Sequence, residues 1–138
     1  MAIAIITVAV IGLALALVVL VARDTGPPPS DVALAYESAW DHLDFESLWV
    51  LSGDELRDGL DRKAFVAAKT SAYAAQRSLG GLTALVAVED ERSGDTISTV
   101  RTRVDLKDGG TARNELQLVK RAGRWVVVGY SLRSNVQH

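Results

Sequence analysis

The chain has 138 residues, 49% of them hydrophobic and 23% charged, with no cysteine, two histidines and a formal net charge of −2. This composition excludes a disulfide-stapled scaffold and a lipid-modified cysteine anchor, and leaves a zinc site short of ligands. Nucleic-acid binding is a poor fit, because the basic residues are diluted by carboxylates and carry no aromatic-basic motif.

The N-terminal segment is an uncharged run of 21 residues, Ala2 to Ala22. At ~1.5 Å rise per helical residue it reaches roughly 31 Å, close to a hydrocarbon core about 30 Å thick. A cleaved signal peptide is the competing reading, but its apolar part is usually ~7–15 residues behind a basic start, and MAIAII has no basic side chain. The expectation is a transmembrane helix over residues 1–23. Within it Ala9, Gly12 and Ala16 share one face, and small residues let a second membrane helix pack closely. Alanine is frequent enough here for chance to produce the same spacing.

Residues 24–30 form a linker centred on Pro27, Pro28 and Pro29, which lack backbone donors and stop a helix. They favour an extended spacer that holds a folded domain, residues 31–138, a short distance off the bilayer. In that domain Ser30 or Asp31 can cap a helix carrying Val32, Ala35, Tyr36, Ala39 and Leu43 along one stripe. Asp44 can start a second helix through Leu51. Ser52-Gly-Asp-Glu55 has capping-box spacing. Asp61 can cap a third helix, residues 62–76, with Phe65, Ala68, Ala72 and Ala75 on one stripe. After Gly80-Gly81, four segments alternate as strands, LTALVAVED, TISTVRTRVDL, TARNELQLVKR and RWVVVGYSL, joined by Gly-containing turns. Helices first and an antiparallel meander second predict an α+β fold, with helices covering one face of a curved sheet.

Charge is unevenly placed. Residues 24–61 carry ten acidic side chains against Arg57 alone, whereas residues 62–138 carry thirteen basic and seven acidic ones. The acidic segment is either a surface for a basic partner or an ordinary solvated face.

The run AYESAWDHLDFESLWVLSGDELRDGL, followed by meandering strands that close with RAGRWVVVGYSL, resembles the nuclear transport factor two-like superfamily, with its SnoaL-like and ketosteroid-isomerase-like domains. The resemblance spans about residues 31–133 and implies a cone-like α+β domain. A single membrane helix before such a domain is similar to the actinobacterial Mce-associated membrane proteins, which implies an extracytoplasmic domain at the plasma membrane. Arginine outnumbers lysine eleven to four, in keeping with a high-GC bacterium.

Enzymes of that superfamily place a carboxylate base and a tyrosine or second acid inside an apolar cone. The candidates are Tyr36, Asp41, Asp44 and Tyr73, but each has a sufficient structural role, so no catalytic residue is expected. Trp40 and Trp49, with Tyr36 and Tyr73, either line a ligand cavity or, more commonly in a domain this small, form core. His42 falls off the apolar stripe and His138 is the last residue, so no metal site and no cofactor are expected. The expected function is a non-catalytic accessory or assembly subunit that docks its helix against integral membrane partners. The host complex would be a Mce-type lipid transporter or a respiratory oxidase supercomplex. The alternatives are a tethered binder of a small apolar ligand, or a SnoaL-like enzyme.

Overall fold

The first helix of the domain begins on proline. The computed structural model describes residues 26–133, without the side chains of residues 77–79. The apolar run with Ala9, Gly12 and Ala16 lies outside the described residues. Among those described, no helix is long and apolar enough to cross a membrane. Helix α1 spans Pro29–Asp41, with Pro28 as its N-cap and no side-chain cap. Neither Ser30 nor Asp31 caps it. Pro29 occupies a first-turn position whose N–H would be unpaired anyway, and its φ is already helical. The buried face also differs from the expected stripe. Ala35 is exposed, while Val32, Ala33, Tyr36, Glu37 and Ala39 are buried. This face draws one glutamate into the interior.

Asp44 caps the short helix α2, Phe45–Leu51, by accepting from Ser47 N at 3.1 Å and Ser47 Oγ at 2.6 Å. The capping box expected at Ser52–Glu55 does not form. Ser52 is buried, and its hydroxyl turns back to Leu48 O at 2.6 Å. Its backbone forms a parallel bridge with Val127, and Gly53 N donates to Val127 O at 2.7 Å. Gly53 is required by this close approach, since a Cβ there would stand 2.9 Å from Val128 Cγ1. Glu55 reaches across to Arg121 instead.

Asp61 caps α3, Arg62–Ala72, through Ala64 N at 2.8 Å. The alanine stripe is not the packed side. Ala68, Ala72 and Ala75 are exposed, and Phe65 is the buried residue of the helix. Alanine offers little area to bury, so Phe65, with Val66 and Tyr73 packed against the core, sets the helix orientation. The expected single helix also breaks at Tyr73, the C-cap, before a 3-10 segment at Ala74–Leu79.

Four strands follow, β1 Thr83–Ser93, β2 Ile97–Leu106, β3 Thr111–Arg121 and β4 Arg124–Leu132, in one antiparallel sheet of order β1-β2-β3-β4. The β3–β4 hairpin turns on Ala122 and Gly123, both at positive φ as a two-residue turn demands. Ser98, Val100, Thr102 and Val104 of β2 lie opposite Leu118, Leu116, Asn114 and Ala112 of β3, and this row faces the helices. Register shifts in β1 and at Gln117/Leu118 mark bulges that bend the sheet around the helices. The fold is α+β, three helices on one face of a curved four-stranded antiparallel sheet.

On the outward face Arg103 lies directly opposite Arg113, a like-charge pairing that is unfavourable in isolation. Glu89, which the β1 bulge leaves without a cross-strand partner, relieves it. Its carboxylate lies 2.7 Å from Arg133 Nη2, 3.3 Å from Arg113 Nε and 3.9 Å from Arg103 Nη1. The Arg133 hydrogen bond, more than the other arginines, holds the Glu89 carboxyl below its usual range.

The acidic segment is largely occupied within the domain. Glu46 pairs with Arg62, Asp54 with Arg57, Asp58 with Lys69 and Glu55 with Arg121, while Asp44 and Asp61 cap helices. The Arg121 hydrogen bonds lower the Glu55 carboxyl from 4.5 to about 2. Because the folded value is depressed, this pair stabilises fully above about pH 4.5 and is lost as pH falls towards 2. Arg121→Met should therefore lower the melting temperature by a few degrees at neutral pH, a modest effect for an exposed pair. Thermal melts of variant and wild type should converge as the pH is taken from 5 to about 2. A constant gap across that range would count against the pair.

Candidate functional site

A polar cluster inside the helix–sheet layer is the most distinctive chemical feature of the domain. Glu37 of α1 is 5% exposed and meets side chains from three strands. Its Oε2 accepts from Thr102 Oγ1 of β2 at 2.6 Å and from Asn114 Nδ2 of β3 at 2.8 Å. Its Oε1 accepts from the Tyr130 hydroxyl of β4. Asn114 Nδ2 also lies 3.0 Å from the Tyr130 oxygen. With that oxygen accepting from Asn114, the phenolic hydrogen is directed at Glu37. The Tyr130 phenol is pushed well above its ordinary range, first by burial and then by the Glu37 charge and hydrogen bond. It therefore stays protonated and remains a donor.

The sequence carries a signal for this cluster that the stripe reading missed. Ala33, Glu37 and Trp40 are spaced at i, i+4 and i+7, which places the glutamate on a helix face with apolar neighbours. Thr102 and Asn114 occupy inward positions of the β alternation, beside Val100, Val104 and Leu116. Three polar residues on inward positions of three separate elements need one another, because a buried polar group without a partner is costly.

The sequence candidates fall in several separate settings, and two of them, Trp40 and Tyr73, meet. Tyr36 is buried, its ring 5.0 Å from that of Tyr130 in an edge contact, and burial pushes its phenol above the usual value. Trp40 and Tyr73 come together with Phe45, at ring separations of 5.8 Å for Trp40–Tyr73 and 6.4 Å for Trp40–Phe45. Trp40 Nε1 is buried, with no hydrogen-bond partner within 3.5 Å among the described residues. Trp49 lies elsewhere, donating to Leu60 O at 3.1 Å beneath the Arg57 guanidinium, which stands 3.7 Å from its ring centre. Of these four, Tyr73 lines the cleft described next. Asp41 accepts from Thr83 N at 3.0 Å, tying the end of α1 to the start of β1, and Asp44 is a cap. His42 is exposed and bonded through Nδ1 to Ser38 O at 2.8 Å.

A half-open cleft of about 290 Å³ lies beside the aromatic group, lined by His42, Leu43, Phe45, Thr70, Tyr73 and Ala74. The backbone turns into it at Leu43, which adopts a positive φ of 51°. Among the described residues no group of three or more histidine, cysteine or carboxylate side chains could hold a metal.

No protein-family model matches the chain, and no curated protein matches it. Solved structures do. A protein provisionally named an NTF2-like transpeptidase, from Campylobacter jejuni, superposes with a TM-score of 0.58 at 16% identity, covering 73% of this chain and 97% of that one. A SEC-C motif containing protein from Rhodopseudomonas palustris gives 0.57 at 17% identity, over 81% and 83% of the two chains. An NTF-2-like protein of unknown function from Silicibacter pomeroyi gives 0.50 at 16% identity, over 74% and 90%. The fold is NTF2-like. At these identities the likeness concerns the path of the backbone, and it carries no substrate or partner with it.

The Glu37 cluster predicts a measurable cost. Tyr130→Phe removes one donor to a buried carboxylate, and Glu37→Gln sets an amide N–H₂ against groups that are themselves donors. Each should destabilise the domain by about 1–3 kcal/mol, read as a lower urea midpoint at unchanged slope. Gln117→Glu, on the outward face of β3, is the control and should shift the midpoint far less. A Glu37→Gln midpoint equal to that of wild type would show that the cluster does not constrain the fold.

Proposed function

We propose that this chain is a non-catalytic, single-pass accessory or assembly subunit of a larger actinobacterial membrane complex. In this reading residues 1–23 span the plasma membrane and dock on integral membrane partners through Ala9, Gly12 and Ala16. The domain stands on the extracytoplasmic side. A Mce-type lipid transporter and a respiratory oxidase supercomplex are the two candidate hosts. The observation that carries the non-catalytic part is the state of the interior. Glu37, the buried carboxylate, is committed to Thr102, Asn114 and Tyr130 within the chain. The core of the same layer is closed by Val100, Leu116, Leu118 and Val127, each 0% exposed. A general base needs an approachable substrate, and this carboxylate faces only its own fold.

One observation favours a second reading, a tethered binder of a small apolar ligand. The cleft at His42 and Tyr73 is open to solvent and near the lower size limit of ligand sites, which is about 300 Å³. An apolar fluorophore that binds wild type and is lost in Thr70→Trp, which fills the cleft, would favour it.

The main reading is tested at the apolar run. A helix used only as a tether tolerates any apolar side chain, whereas a packed helix needs its small face. Gly12→Leu should reduce recovery of partner subunits after mild-detergent purification by roughly tenfold, the scale of ~1–2 kcal/mol of lost helix packing. Ala14→Leu, about 160° round the helix from that face, should be tolerated. Equal recovery from both variants would reject docking through this face.

The side of the membrane is tested separately. Lys107 is exposed in the β2–β3 turn and the chain has no native cysteine. Lys107→Cys should react with an impermeant thiol reagent in intact cells. Reaction only after lysis would place the domain in the cytoplasm.

A further inference from the structure

Where the linker enters the domain decides which end of the sheet lies nearest the apolar run. Gly26, the first described residue, rests against the β3–β4 hairpin. A Cβ on Gly26 would stand 3.6 Å from Arg124 Cγ and 3.8 Å from Gly123 O, and its φ of 81° turns the chain there. Four residue steps separate Ala22 from Gly26, and at about 3.3–3.6 Å each they span no more than roughly 14 Å. The polar headgroup layer adds roughly 5–7 Å to each side of the hydrocarbon core. A hairpin held by so short a tether therefore stays within roughly 9 Å of that layer, about one Debye length.

The hairpin suits such a neighbour. Arg121, Ala122, Gly123 and Arg124 are exposed, and Lys120 precedes them. Arg121 is committed to Glu55 and Lys120 stands 5.9 Å from the Trp125 ring centre, while Arg124 has no carboxylate partner among the described residues. The adjoining β1–β2 turn lies at the same end, because Lys120 N donates to Thr96 O at 2.9 Å. Beside it Ile97 is 66% exposed on the outward face, opposite Val119. Glu91 and Asp95 also lie at this end, so its attraction for anions is local to Lys120 and Arg124.

We propose that this end of the sheet, with Lys120 and Arg124 at phosphate depth and Ile97 at the interface, docks on an anionic phospholipid surface and fixes the orientation of the domain. The inference rests on the reading of residues 1–23 as a membrane span. Cations at a tethered hairpin meet lipid phosphates within a Debye length, so the contact is electrostatic, composition-dependent and weakened by salt.

The test uses the full chain in vesicles of phosphatidylcholine with or without phosphatidylglycerol. A fluorophore is placed at Thr96→Cys or, at the opposite end of β2, at Lys107→Cys, and a quencher is carried on lipid headgroups. In anionic vesicles the Thr96 label should be quenched several-fold more than the Lys107 label. Replacing phosphatidylglycerol by phosphatidylcholine, or introducing Lys120→Glu with Arg124→Glu, should remove most of that difference while flotation with vesicles persists. Flotation with equal quenching at both labels would overturn the docking inference and leave the span intact. A Thr96 signal that the double variant does not change would reject lipid recognition by these cations. Failure to float would overturn both the span and the inference.

Discussion

The domain is organised around one buried carboxylate. Removing Glu37 from water is costly, and the cost is offset only if several donors converge on it. Those donors come from β2, β3 and β4, so the cluster fixes the depth and rotation of α1 over three strands together. Apolar packing alone would let α1 turn by one position, as its near-continuous run of Val32, Ala33, Leu34 and Ala35 allows. With Glu37 in place, only the rotation that buries Ala33 and exposes Ala35 satisfies the interior.

The same requirement orders the sheet. Thr102 and Asn114 are direct cross-strand partners, and Tyr130 is one register step further on, opposite Leu116. A slip of one residue between β2 and β3 would carry Thr102 or Asn114 to the outward face and strand the carboxylate. The outward face has its own version of this constraint in Glu89, which a bulge aims at three arginines. Charge thus specifies register on both surfaces of one sheet.

Much of this architecture was legible because it is local. The four strands, their turns, the α2 and α3 caps at Asp44 and Asp61, and the α+β order follow from alternation, glycine placement and side-chain capping within a few residues. What failed was non-local. Ser52–Glu55 has the spacing of a capping box, yet pairing with Val127 and Arg121, more than 60 residues away, outcompetes it. The alanine stripe of α3 has helical period but too little area to outweigh Phe65 and Tyr73. Glu37 was missed because acidic residues on a helix are ordinarily solvated. Its burial depends on partners 65 to 93 residues further along the chain.

The docking of Ser52 and Gly53 beside Val127 has a consequence for solubility. An open four-stranded sheet has two edges, and each presents backbone groups able to recruit a strand from another molecule. On β4 the segment at Ser52–Gly53 occupies the edge at Val127, and Gly53 N takes up its carbonyl. On β1 two bulges interrupt the regular spacing that a foreign strand would need. Neither edge is a straight template, so stacking of domains into fibrils is opposed even where chains are crowded side by side. Substituting Gly53 would thus do more than crowd Val128, since it would reopen the edge that this segment covers.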